Sequence, residues 1–199
     1  MGVLVLGIGN ILWADEGFGV RVVERLGEGW RFPSGVTLMD GGTQGLYLLP
    51  HIEEADALVV IDAIDYGLPP GTLRLIRDGD VPAFLGAKKM SLHQTGFQEV
   101  LATAQLTGRC PGRLRLVGVQ PAVLDDYGGG LTDVVAAQVE PAAALALDIL
   151  GREFGIVPEP RGAATPSDPV SRHAYEGGRP SAADACRIGD PRVLAGRFA

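Results

Sequence analysis

The residues from Val3 to Leu6 and from Ala57 to Ile61 are apolar without a break. A strand that is apolar at every position has no face to give to water, so a sheet holding these two must be covered on both sides. Between such runs the apolar residues fall at helical spacing, first at Val20, Val23 and Leu26. Strands are expected at Val3–Gly7, Val36–Asp40, Ala57–Asp62 and Leu114–Val119, and the alternation over Thr72–Arg77 suits an edge strand. Helices are expected at Glu16–Leu26, Leu46–Ile52, Gln94–Leu106 and Thr132–Leu150, the first with Asp15 as its N-cap. Strand and helix in alternation predict an α/β fold, a three-layer α/β/α sandwich around a largely parallel sheet.

The 199 residues, 46% of them hydrophobic, can bury one good core. One domain is expected over residues 1–157. From Pro158 the composition turns to Pro, Gly, Ala and Arg without helix or strand period, which reads as a disordered tail over 158–199. Its last stretch, Arg187 to Phe198, has spaced apolar residues able to dock. The net charge of -7 and the lack of a basic run speak against nucleic acid or an anionic membrane as partner. The apolar start has no positive flank and runs into Asp15 and Glu16, unlike a signal peptide, and Leu6 stands where a myristoylation signal wants Ser or Thr. No apolar stretch reads as long enough to span a bilayer. Cys110 and Cys186 form no metal or redox motif. A cytoplasmic protein is expected.

A sheet of this kind places its chemistry outside the carboxyl ends of its strands. Asn10, Asp15 and Glu16 follow the first strand, Asp40 ends the second in MDGGTQG, and Asp62 ends the third in VVIDAID. Gln120 ends the last strand, and His93 sits where a helix begins. These residues are expected on one rim, centred on the crevice between the first and third strands. Each has a plain structural role as well. An Asp often stops a strand or caps a turn, and Glu16 in a first helical turn is favoured by the helix dipole. His51, beside Glu53 and Glu54, and His173, in the tail, read as bystanders. The coincidence of a Glu, an Asp and a His on one rim is what points to function.

Two enzyme classes suit that rim, with a non-catalytic metal- or partner-binding module third. GIGN after a strand is the start of a dinucleotide fingerprint, and Asp40 could hold a ribose. Against a dinucleotide-binding oxidoreductase, Leu12 fills the third glycine position and Glu16 would repel a pyrophosphate. The second class is a metal-dependent hydrolase. One Glu oxygen, one Asp oxygen and one His nitrogen can hold a divalent ion and leave open positions for a carbonyl or a water. No H-E-x-x-H or G-x-S-x-G occurs, and neither cysteine has a His nearby in sequence.

The segments VLVLGIGNILWADEGFGVRVVERL, LMDGGTQGLYLL, LVVIDAID, MSLHQTGFQEVL and LRLVGVQP, in this order, resemble the nickel-iron hydrogenase maturation proteases. The resemblance covers about residues 3–150 and leaves the tail outside. It implies a twisted five-stranded sheet between helical layers. It also implies an endopeptidase that removes the C-terminal extension of a hydrogenase large subunit once nickel is in place. The family's metal-binding and catalytic positions match Glu16, Asp62 and His93, and its substrate-recognising D-G-G-T turn matches Asp40, Gly41, Gly42 and Thr43. The implied partner is the nickel-loaded precursor, and the nickel travels with that substrate. No permanently bound metal is expected, though cadmium or zinc can occupy the site in vitro. The segment HQTGFQEVL is most similar to enzymes that serve membrane-bound uptake hydrogenases. The chain is expected to act as a monomer.

Overall fold

The computed structural model describes residues 1–82, 92–124, 126–128 and 130–162, with 92–95 described by backbone alone. Its centre is a five-stranded sheet of β1 (Val3–Ile8), β3 (Val36–Gly42), β4 (Ala57–Ala63), β5 (Leu73–Arg77) and β6 (Arg113–Val119). The spatial order is β3-β1-β4-β6-β5. Four strands run parallel, and β5 pairs antiparallel with β6 at the edge, where its alternating sequence had placed it. In register, Gly7 stands opposite Asp40 on one side and Ile61 on the other, and Asp62 stands opposite Gly118. Every residue of β1 and of β4 is buried, as their unbroken apolar runs require.

Alternate residues of β1 point to opposite faces. Val3 and Val5 meet Phe18, Val22 and Leu26 of α1 (Phe18–Gly29), with Ile149 of the C-terminal helix beside them. Leu4 and Leu6 meet Ile52 of α2 (Leu49–Glu53) and Phe97 and Leu101 of α3 (Leu92–Leu106). Full burial of each such side chain is worth about 1.5–3 kcal/mol, so both faces hold the sheet. The connection from β1 to β3 carries α1 on one face, and that from β3 to β4 carries α2 on the other. The chain thus reverses direction across the sheet between β1 and β4, which makes the carboxyl ends of these two strands the natural place for a site.

Several expectations need correction. Helix α1 starts at Phe18, and Asp15 and Glu16 lie before it in a 3-10 turn, Ala14–Gly17. Gly17 is the N-cap of α1, with no side-chain cap bond, so Asp15 does not cap it. The expected helix Thr132–Leu150 is two helices, α4 (Asp133–Ala136) and α5 (Val139–Phe154). Pro141 lacks the N–H that would have bonded the Ala137 carbonyl across the break. The second helix runs past Leu150 and stops at Gly155, whose left-handed φ of 69° lets Ile156 N–H bond the Leu150 carbonyl.

An 18-residue window within Asp133–Phe154 reaches a mean hydropathy of 1.5, long and apolar enough to cross a membrane by length and composition, where the sequence reading expected no such stretch. In the fold it supplies core instead: Ala142, Ala146, Ile149 and Leu150 are buried with the sheet, and Asp148 pairs with Arg152 outside. A further departure lies at residue 158, where the tail was expected to begin. A short pair of β2 (Trp30–Arg31) with β7 (Glu159–Pro160) ties the chain down beyond it, and Arg161 N–H bonds the Gly29 carbonyl. The compact unit ends at residue 163, and the rest of the tail, with His173 and Arg187 to Phe198, lies outside the described residues.

Candidate metal and substrate site

The loop after β1 depends on three glycines. A β-carbon on Gly7 would lie 2.3 Å from the Gly19 carbonyl oxygen, and one on Gly19 would lie 2.1 Å from that of Ile61. Helix α1 therefore rests directly on the β1 and β4 backbones. In a dinucleotide fold a glycine at position 12 would make this approach. Here Leu12 is exposed and Gly19, seven positions farther along, takes the role. At Gly9 the φ is +135°, and a β-carbon would stand 1.8 Å from the Glu16 carbonyl oxygen. The Glu16 backbone thus folds back onto Gly9, and its N–H bonds the Trp13 carbonyl at 2.9 Å. This 3-10 turn packs against β4, the strand that carries Asp62.

Glu16 is half-buried and Asp62 is buried. One Asp62 oxygen accepts the Ala63 N–H at 2.8 Å. Across the β4–β6 pair a β-carbon on Gly118 would meet the Tyr66 hydroxyl at 1.9 Å, so the missing side chain makes room for that phenol. Burial and the negative charge of Asp62 push the Tyr66 phenol upward, which keeps it protonated and able to donate.

The Asp40 carboxylate is exposed and accepts the Gly42 N–H at 2.9 Å. Gly42 takes φ +46°, and a β-carbon on Gly41 would crowd Leu6 at 2.8 Å, so the D-G-G turn is shaped by backbone freedom. Thr43 follows it, exposed. His93 is the second residue of α3, and its side chain lies outside the described residues. The helix itself can be placed. Three residues on, Gly96 lies against Gly45, with a β-carbon 3.6 Å from the Gly45 Cα. Helix α3 therefore meets, at its fifth residue, the segment that follows the D-G-G-T turn.

The rim thus gathers Glu16, Asp62 and Asp40 from the ends of three adjacent strands, with α3 against the segment after the D-G-G-T turn. Among the described residues no group of three His, Cys, Asp or Glu is poised to hold a metal; Glu16 and Asp62 are the described members of the expected set. Two further polar residues of the rim prove to be braces. The Gln120 side-chain oxygen Oε1 accepts Tyr66 N–H at 2.7 Å and Leu68 N–H at 3.1 Å, and its Nε2 donates to Asp65 at 3.0 Å. The Asn10 side chain accepts Leu12 N–H at 3.0 Å.

The same rim exposes large apolar side chains that sequence reasoning had passed over. Ile11, Leu12 and Trp13 lie on the first loop, and Trp13 meets Tyr127 edge to face at 5.3 Å. Leu46 and Tyr47 follow the D-G-G-T turn, with Tyr47 84% exposed. Aromatic residues inside glycine-rich loops were the available signal.

Comparison with known proteins gives the family of the fold. A family model described as hydrogenase maturation protease matches residues 20–149. The hydrogenase expression/formation protein HupD of Rhodobacter capsulatus is 61% identical over 196 residues, covering 96% of this chain and 92% of its own. HoxM of Azotobacter vinelandii is 56% identical, covering 96% and 94%. These matches run well past residue 150, so the tail is shared with such relatives and does not lie outside the likeness. The solved hydrogenase maturating endopeptidase HYBD from Escherichia coli is 44% identical, with a TM-score of 0.76, over 81% of this chain and 98% of that one. The oxidoreductase and the non-catalytic module fall with these findings: the chain belongs to the hydrogenase maturation protease family, whose members are endopeptidases.

Proposed function

We propose that this chain removes the C-terminal extension of a nickel-iron hydrogenase large subunit, in the cytoplasm and after nickel insertion. The observation that carries the reading is the placement of Glu16 and Asp62 at the reversal point between β1 and β4, with Gly96 of α3 against Gly45 after the D-G-G-T turn. Glu16, Asp62 and His93 act together as ligands and as catalytic groups. Two carboxylates and an imidazole suit a divalent ion that keeps open positions. Because these ligands are few, resting affinity is low, and the metal arrives with the substrate. Thiolates of the precursor hold the nickel from one side and this chain engages it from the other. Docking on the metal fixes the scissile bond beside the two carboxylates, which can take the proton of an attacking water. Asp40, Gly41, Gly42 and Thr43 contact the precursor's backbone near the junction. The exposed apolar side chains around the rim suit a folded protein partner better than a small peptide. The segment HQTGFQEVL supports a membrane-bound uptake hydrogenase as the source of that precursor.

The test incubates metal-stripped protein with nickel-loaded and nickel-free precursor and follows cleavage by mass spectrometry. Only the loaded precursor should be cut. Glu16→Ala, Asp62→Ala and His93→Ala should each abolish cleavage and weaken binding of Cd²⁺ while the fold persists. Equal cleavage of both precursors would overturn the substrate-metal reading. Parental rates in two of the three variants would overturn the ligand assignment.

A further inference from the structure

The residue beside Glu16 is a carboxylate with no exposed surface. Asp15 accepts hydrogen bonds from Ala122 N–H at 2.8 Å and Val123 N–H at 2.9 Å on one oxygen. The other oxygen accepts Thr132 N–H at 2.7 Å, and the Thr132 hydroxyl lies 3.0 Å from both. Its own N–H bonds the Val123 carbonyl at 3.1 Å. Every one of these donors belongs to the loop between β6 and α4, more than a hundred residues along the chain. Thr132 occupies the N-cap position of α4 yet makes no side-chain cap bond; its hydroxyl serves Asp15 instead. Ala14, immediately before Asp15, takes φ +39°, which an alanine holds only where its surroundings impose it.

We infer that Asp15 is a positioning residue: its buried carboxylate staples the Glu16 loop to the loop after β6 and so fixes where Glu16 meets a metal. The inference rests on the reading of Glu16 as a ligand. The bonds of the Asp15 carboxylate join loop to loop and none goes to a sheet strand. A second tie, the Trp13–Tyr127 bridge with Gly128 N–H on the Leu12 carbonyl at 2.7 Å, holds the same two loops farther out. Loss of the staple therefore loosens Glu16 and leaves the sheet intact.

Asp15→Asn offers one acceptor oxygen in place of two and turns an N–H₂ toward N–H donors. Thr132→Val removes one donor and keeps the side-chain shape; Thr132→Ser restores it. Calorimetric titration with Cd²⁺, well below the melting temperature, reads the metal affinity of the folded protein, which a merely structural role would not move. The Kd should rise tenfold or more in Asp15→Asn, three- to tenfold in Thr132→Val, and stay within twofold in Thr132→Ser. Parental Kd in both Asp15→Asn and Thr132→Val, with only the melting temperature lowered, would overturn the inference. If Asp15→Asn does not fold, Thr132→Val decides alone. Glu16→Ala separates the two layers of the argument. If that variant binds Cd²⁺ normally, the ligand reading fails, and amide exchange then reads the staple directly. Faster exchange at Glu16, Ala122 and Val123 in Thr132→Val would support it, and unchanged exchange would overturn it.

Discussion

At Gly9 the chain needs both a positive φ and an empty space where a β-carbon would touch the Glu16 carbonyl. Gly9→Ala should therefore cost roughly 1–3 kcal/mol of stability and displace Glu16. The check is a lowered melting temperature together with lost processing at temperatures where the variant is still folded. Asp40 makes the opposite case, because its carboxylate is exposed and, among the described residues, accepts the Gly42 N–H. An amide oxygen can accept that bond as well, so Asp40→Asn should keep the fold and the Cd²⁺ affinity while losing processing rate. Loss of Cd²⁺ binding in that variant would move Asp40 into the ligand set. Glu16, Asp40 and Asp62 were legible in the sequence because strand ends can be located from apolar runs, and parallel strands put those ends on one rim. Asp15 was misread because an Asp before a helix caps it by default, and its true donors stand over a hundred residues away. Gly19 was missed for a similar reason: nothing local tells a helix glycine that touches a neighbouring strand from one that does not.

Among the elements, β6 is fastened at the end opposite the site. Arg115 donates to Asp78 at 2.6 Å and to Glu153 of α5 at 2.5 Å, and Arg77 reaches Glu153 at 3.2 Å. Partial burial alone would raise both carboxyls, but the Arg115 hydrogen bonds and charge outweigh it and hold both below their ordinary values. A carboxylate depressed in the folded state stabilises fully above its unfolded pKa, and that contribution fades as pH falls through the folded one. Thermal stability should thus decline from near neutral pH toward acid below about pH 4. Arg115→Met should lower stability at pH 7 by about 1–2 kcal/mol, allowing for the screening of half-exposed Asp78, and flatten that acid decline. Melting curves of both proteins from pH 7 to pH 3 check this, and parallel curves would refute it. Element type was readable almost throughout, including β5 as an edge. What local pattern could not give was the strand order, since pairing is decided across the chain. The break in the expected long helix was visible in principle at Pro141, yet the apolar period continues through it and outweighed the proline.

For the molecule as a whole, the Escherichia coli endopeptidase fits 98% of its own length onto 81% of this chain. That fold therefore needs no counterpart of roughly the last fifth, although the HupD and HoxM relatives carry one. A chain ending at Gly162, which keeps the β2–β7 pair, should retain its melting temperature and its processing of the precursor. A chain ending at Pro158 loses that pair and should melt lower. Unequal melting of the full chain and the 162-residue form would show that the tail adds to the core.

The staple at Asp15 also sets a birth order. The partners of this residue lie 107 to 117 positions downstream, so a growing chain carries Glu16 on an untethered loop until Thr132 has left the ribosome. At ~5–20 residues per second that interval is on the order of ten seconds. Sheet strands β1, β3 and β4 can all be in place by then, since they precede the missing partners. A chain that has not yet reached Thr132 lacks the tie that would position Glu16 for the proposed chemistry, so copies that stop short of it should be silent.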